Sequence, residues 1–344
     1  MRRHRRRVAA ALLVALALGG ALALASLSPV AGAPTTGPRA AVAWVATGAT
    51  QRQPGDQVVA VDLRRRRQVA AVATGSEPAA LAVAGGGRWL VVADQGVDRL
   101  SVVATASRTV VAQIAVGLEP DAVAVAPAAR GRPATALVAN FGDATLTPVD
   151  LTTRRAGRPV PVGSEPDAVA FAPHGPGGAP TAVVADFAAG TVTLVDLATM
   201  AVSATVPVGP EPDAVAVVDQ PLGGEIALVG DFGGDTVTPV DLSTSSAGPA
   251  VTVAGNPTAM AVAPGGRTTW VAGGASLTPI ATDTLAAGPS VSLRQPAEAI
   301  ALQGATTAWV ATPGGQLLAV SLPSGHVGRS VALGAPPAAV VTTG

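Results

Sequence analysis

The sequence contains no cysteine, no tyrosine and no lysine, and aromatic residues make up only 2% of its 344 positions. Without cysteine the chain has no disulfide, no thiolate metal ligand, no cysteine nucleophile and no lipidated cysteine anchor. Its stability must come from burial and closure alone. All 22 basic residues are arginine. That bias, with the excess of Ala, Gly and Pro, is what a GC-rich genome produces and says little about function. Histidine is scarce too, at three residues, which leaves little material for imidazole metal sites.

Ala and Val dominate the apolar residues, and 40 Gly and 30 Pro are spread among them. Val favours strands, whereas Gly and Pro at this density punctuate short elements. The composition therefore predicts many short strands and little helix. A folded chain of roughly 300 residues can bury about 75% of its unfolded surface, so core size is no obstacle. The formal net charge of zero is misleading. Arg2, Arg3, Arg5, Arg6 and Arg7 precede the first apolar run, and no acid does; the remainder carries 17 basic against 22 acidic side chains. A mildly acidic body argues against a nucleic-acid partner.

The basic head leads into an unbroken apolar run, Val8 to Ala25, followed by small residues and proline. That is the order of an export signal. Ala31-Gly32-Ala33 fits the small-x-small cleavage rule, although Pro34 follows it badly, and Ala23-Leu24-Ala25 is a second candidate. The run is also just long enough to span a bilayer, so a retained single-span anchor is the alternative to cleavage. Either reading places the rest of the chain outside the cytoplasm, secreted or at the cell envelope. Residues 1–33 are thus expected to be signal or anchor, 34–40 a linker, and 41–344 one repeat domain.

That domain is repetitive. Glu165-Pro166-Asp167-Ala168-Val169-Ala170-Phe171 returns as Glu119-Pro120-Asp121-Ala122-Val123-Ala124-Val125 and as Glu211-Pro212-Asp213-Ala214-Val215-Ala216-Val217. Weaker copies begin at Pro78, Pro257, Pro296 and Pro337. Spacings of about 40 to 50 residues are those of propeller blades. Between successive prolines lie three further phrases. One is a short apolar strand ending in a polar or small residue, such as Leu137 to Asn140, Val183 to Asp186 and Leu228 to Asp231. The next alternates and closes at Asp62, Asp150, Asp196 or Asp241. The last leads into glycine, as in Val206-Pro207-Val208-Gly209. Period-two alternation bounded by turn residues marks strands. Four strands per repeat, A to D from the proline phrase onward, make one blade. The first readable strand, at Trp44, is of type B, and the last, Ala338 to Thr342, is of type A. The C-terminal strand is therefore expected to complete the N-terminal blade, closing an all-β, seven-bladed propeller and removing its free sheet edges.

These phrases resemble the YVTN-type propeller repeat of bacterial and archaeal surface and periplasmic proteins. Leu137 to Asn140 stand at the naming tetrad, Gly142-Asp143 and Thr145 to Asp150 at the next phrase, and Val206 to Gly209 at the fourth. The chain departs from the pattern in lacking tyrosine and in placing Ala where the tetrad has Thr. The resemblance implies the propeller fold and placement outside the cytoplasm, and it implies no particular activity.

In this register Glu77, Glu119, Asp121, Glu165, Asp167, Glu211 and Asp213 are expected to ring one face, at the D-to-A loops, with Asp143, Asp186, Asp231 and Asp235 nearby. Asn256, Thr258, Gln295 and Ala297 stand in their place in later repeats. Converging carboxylates suit a cation, with Ca²⁺ or Mg²⁺ as candidates; the alternative is that each aspartate caps a turn. Asp62, Asp150, Asp196 and Asp241 read as turn residues. The opposite face is expected to be basic, through Arg64, Arg65, Arg66, Arg67, Arg88, Arg108, Arg130, Arg132, Arg154 and Arg155. Those arginines read either as a solvated face or as a dock for an anionic envelope polymer or headgroup. His174 and His326 fall on this face, away from the channel mouth, and Trp44, Trp270 and Trp309 share a core position. No catalytic set emerges. The functional expectation is a non-catalytic binding or interaction propeller, acting as a monomer on a protein or envelope polymer, with membrane contact only through an uncleaved N-terminus. A metal-dependent lactonase-like hydrolase or lyase at the acidic mouth, and a structural surface component, are the alternatives.

Overall fold

Alternation along each strand sends one set of Val, Leu and Ala side chains to either face of its sheet, so each sheet must be covered on both sides. The computed structural model describes residues 41–47, 56–129, 131–220 and 223–343. The export segment, the linker and Arg130 lie outside the described residues. Seven antiparallel sheets pack side by side around a central axis, each buried against its two neighbours, and form a seven-bladed propeller.

Blade 1 takes its B, C and D strands from Val42–Thr47, Gln57–Asp62 and Arg67–Ala73, and its innermost A strand, Pro337–Thr343, from the C-terminus. Val45 pairs with Val340 across this closure. The other A strands are Pro78–Ala84, Pro120–Ala126, Pro166–Ala172, Pro212–Asp219, Pro257–Val262 and Ala299–Gln303, opening blades 2 to 7. They line the axis, and successive A strands lie against one another around the ring. The expected Trp44, Trp270 and Trp309 are buried in the core.

The seventh repeat has a different register from the one its proline suggests. Ala299 pairs with Ala311 as Ala122 pairs with Ala139. Ala297 therefore matches Pro120, and Glu298, not Ala297, matches Asp121. Pro296 sits one place before the strand opening.

Proline also decides the shape of the outer strands. Pro148, Pro239 and Pro279 occupy the fourth position of the C strands of blades 3, 5 and 6. A proline there cannot donate to the next strand. Each of these blades has a D strand broken in two, as at Arg155–Ala156 and Val160–Pro161. In blade 4, where Leu194 holds the position, the D strand runs unbroken from Ala201 to Pro207.

Candidate functional site

Each A strand of blades 3, 4 and 5 begins with a β-bulge directly after its proline, between Pro120 and Ala122, Pro166 and Ala168, and Pro212 and Ala214. The extra residue is an aspartate in all three. A bulge re-aims its side chain out of the ladder, and on the innermost strand this directs it to the axis. Asp121, Asp167 and Asp213 are only 2%, 4% and 6% exposed. Their carboxyls form a row, with that of Asp167 in hydrogen-bonding contact with both neighbours. Asp121 is near enough to Asp213, two blades away, to feel its charge. Two carboxyls can hydrogen-bond only by sharing a proton. Burial pushes Asp121 well above the usual carboxylate range, and the charges of Asp167, Asp213 and Glu119 add to it. Burial likewise lifts Asp167 to about 6, against the effect of its two hydrogen bonds. Gln95 Nε2 donates to Asp121 Oδ1 at 3.2 Å, while Asp167 Oδ1 has no hydrogen-bond partner.

The row occupies one sector of the ring. Ala338, Ala79 and Thr258 hold the same position in blades 1, 2 and 6. Glu298 holds it in blade 7, where burial raises its pKa.

The seven acidic residues expected on this face separate into two tiers. Glu77, Glu119, Glu165 and Glu211 sit above the aspartates in the D-to-A loops, all in the left-handed region with φ of 50° to 53°. That backbone costs about 1–2 kcal/mol for a side chain other than glycine. The main chain exploits it, since the carbonyls of Glu77, Glu119, Glu165 and Glu211 accept the N–H groups of Gln95, Phe141, Phe187 and Phe232. The carboxyl of Asp167 meets those of both neighbours, and that of Asp121 is also held by the Gln95 side chain.

The sequence reading missed the residues that follow the B strands. Phe141, Phe187 and Phe232 each stand one place after a B-strand end in blades 3, 4 and 5, and each is partly exposed. The chain has only four phenylalanines. Their regular offset from Asn140, Asp186 and Asp231 was the available signal.

Those B-strand ends are a separate, structural set. Asp186 Oδ2 accepts hydrogen bonds from Thr193 Oγ1 at 2.7 Å and Thr191 Oγ1 at 3.0 Å. Asp231 does the same with Thr238 and Thr236, and Asp94 accepts from Ser101. In blade 3 Asn140 instead donates to Thr147 and Thr145. Glycine from the fourth phrase closes over each. A Cβ on Gly75 or Gly117 would stand 2.6 Å from the Asp94 or Asn140 side chain, and Gly163 and Gly209 are equally tight against Asp186 and Asp231. The close approach lets a glycine N–H reach each carboxylate. Burial lifts Asp94 and Asp186 to about 6 and also raises Asp231.

On the opposite face the turn assignment holds. Asp150 Oδ1 accepts the N–H groups of Thr152 and Thr153, Asp196 those of Ala198 and Thr199, Asp241 those of Ser243 and Thr244, and Asp62 those of Arg64 and Arg65. Arg64, Arg65, Arg66, Arg67, Arg88, Arg154 and Arg155 are exposed there, with Arg65 paired to Asp62 at 2.8 Å. Two arginines of this face fasten blades together. Arg108 Nη1 donates to the Val69 carbonyl and Arg154 Nη1 to that of Val111, each in the preceding blade. Arg154 also lies over the Trp89 ring. Arg132 covers Phe171 of the next blade. His174 is tied to Glu225 of blade 5, its N–H at 2.8 Å and its Nδ1 at 3.3 Å. That interblade contact was not evident in the sequence.

No family model matches this sequence, and no curated protein does. Solved structures match its fold. A functionally unknown protein from Desulfotomaculum acetoxidans superposes with a TM-score of 0.73 at 16% identity, covering 88% of this chain and 98% of that one. Dihydro-heme d1 dehydrogenase NirN gives 0.61 at 15% identity over 91% and 77% of the two chains. Hydrazine synthase of Kuenenia stuttgartiensis gives 0.57 at 18% over 81% and 90%. At these identities the likeness establishes the propeller and carries no activity with it.

Proposed function

We propose that this chain is a non-catalytic binding propeller of the YVTN-repeat type, working outside the cytoplasm, and that it binds its ligand at the acidic channel mouth. The observation that carries the reading is the buried Asp121–Asp167–Asp213 row. Three adjacent buried carboxyls cost free energy unless a partner of opposite charge meets them. The fold does not require them, because Ala79 and Ala338 fill the same position in two other blades. A cationic group at the mouth would offset that cost.

Some catalytic propellers use histidines at this mouth; among the described residues, His174 and His326 stand on the other face, which favours binding over hydrolysis or lyase chemistry. The basic head and apolar run ahead of the domain support export, and the four phrases support the repeat type. The test is a thermal unfolding series at pH 7 with Ca²⁺, Mg²⁺, K⁺ or n-butylammonium. At least one cation should raise the melting temperature saturably, and Asp167→Asn should abolish the shift. If no cation does so, or if the variant responds equally, the row is a folding device and the reading fails.

A further inference from the structure

We infer that the channel mouth takes a small organic cation of the primary-amine class, with its ammonium head against Asp121, Asp167 and Asp213 and its apolar part against Phe141 and Phe187. The inference rests on the proposed reading of this mouth as a binding site.

Three observations select the class. The first is the arrangement of the acids. A divalent ion such as Ca²⁺ needs six to eight oxygens converging on one point. The three carboxyls instead stand side by side, joined by hydrogen bonds. Among the described residues no group of three or more acidic or histidine side chains is placed to hold a metal ion.

The second is the bare oxygen. Asp167 is only 4% exposed, and its Oδ1 has no hydrogen-bond partner. A buried acceptor without a donor is costly. A primary ammonium brings three N–H donors and a positive charge to it together, which a quaternary ammonium or a bare alkali ion does not.

The third is the aromatic rim. The position directly after the B strand overhangs the next blade, since Gln95 reaches Asp121 from there. By the same offset Phe141 of blade 3 falls beside Asp167 of blade 4 and Phe187 of blade 4 beside Asp213 of blade 5, whereas Phe232 of blade 5 falls beside Thr258 of blade 6. An aromatic face attracts a cation and packs against its alkyl part. Glu298, the remaining acid at the aspartate's position, falls beside Gly274 of blade 6, which offers no ring. Rings and carboxyls therefore share one sector, which suits one small molecule better than a symmetric ligand on the axis.

Because the row shares protons, an arriving ammonium must displace them. The experiment is calorimetric titration of the full chain with n-butylammonium chloride at pH 6, in two buffers of different ionisation enthalpy. Saturable binding with proton release is expected, weakened at least tenfold by Asp167→Asn and several-fold by Phe187→Ala, while tetramethylammonium gives no saturation. Phe187→Leu, which keeps an apolar side chain, guards against misfolding and should bind more tightly than Phe187→Ala. Absence of butylammonium binding overturns the inference, as does equal affinity in Asp167→Asn. If Ca²⁺ saturates the mouth instead and Asp167→Asn removes it, the amine class falls while the binding reading stands. If no cation binds, both fall.

Discussion

Moving from pH 7.5 to pH 5 should stabilise this protein, the reverse of ordinary acid destabilisation. Asp94 and Asp186 end the B strands of blades 2 and 4 and are fully buried, and each has one carboxylate oxygen without a partner. Burial lifts both to about 6 from the ordinary aspartate value of 3.8. The folded state therefore binds protons that the unfolded chain has already lost between those two pH values. Stability is then greatest below about 3.8, and it declines as pH rises through about 6. The difference of roughly two pH units, at ~1.4 kcal/mol per unit, sets a ceiling of ~3 kcal/mol for each group. A total unfolding free energy of about 5–15 kcal/mol makes even half of that easy to measure. Asp121, Asp167, Asp231, Glu225 and Glu298 are shifted in the same direction. Asp62, Asp150 and Asp241 are shifted downward, so their stabilising effect is lost only as pH falls below about 3.8, outside the window. Urea unfolding followed by tryptophan fluorescence at pH 7.5, 6.5, 5.5 and 4.5 reads the slope. Asp186→Asn should fold and flatten it, because Asn140 already fills the equivalent place in blade 3. A free energy that falls steadily from pH 7.5 to 5, or an unchanged slope in the variant, would refute the reasoning.

Gly163→Ala should destabilise by about 1–3 kcal/mol in urea, because its Cβ would collide with the Asp186 side chain in a filled space; a change below about 0.5 kcal/mol would mean that the loop yields. Truncation after Pro336 removes the A strand of blade 1, including the buried Ala338, Ala339, Val340 and Val341, and leaves the inner edge of Val42–Thr47 unpaired. Each valine alone is worth about 1.5–3 kcal/mol of burial. The shortened chain should lose its cooperative unfolding transition, and an intact transition would contradict ring closure as the source of stability. Arg154→Ala should lower stability by about 0.5–1 kcal/mol through loss of its contact with the Trp89 ring, while Arg155→Ala, without such a contact, should stay within about 0.5 kcal/mol in the same urea assay.

The architecture was legible because a propeller repeats its turn chemistry. Asp62, Asp150, Asp196 and Asp241 mark the same C-to-D turn, and an opening B strand with a closing A strand leaves one possible join. Sequence spacing misjudged the seventh blade, because proline punctuates a loop without fixing its register. Pro296 therefore concealed Glu298 at the aspartate position. The site was half legible. Its acids stood in a conspicuous phrase, but the phrase does not say that a bulge turns Asp121, Asp167 and Asp213 inward while Glu119, Glu165 and Glu211 remain in the loop. Phe141 and Phe187 escaped notice because they lie in a different phrase, about 20 residues after one aspartate in sequence and beside the next one in space.

Blades 3, 4 and 5 share nearly the same opening phrase, so recent duplication alone would set three aspartates and three phenylalanines in neighbouring blades. Duplication explains how they arose but not why they stay. An aspartate copied into a turn, such as Asp196, gains two backbone hydrogen bonds at the surface and is self-supporting. The same residue copied into a bulge on the axis meets its own copies in a buried space, where like charges raise one another's pKa. There a single change to alanine, the residue present in blades 1 and 2, would relieve the repulsion without disturbing the strand. The cost of keeping the row therefore falls on a position where the fold offers an easy alternative, and Phe141 and Phe187 fall beside its second and third members. That pairing separates the channel mouth from the aspartates of the C-to-D turns, whose backbone hydrogen bonds explain them within one blade.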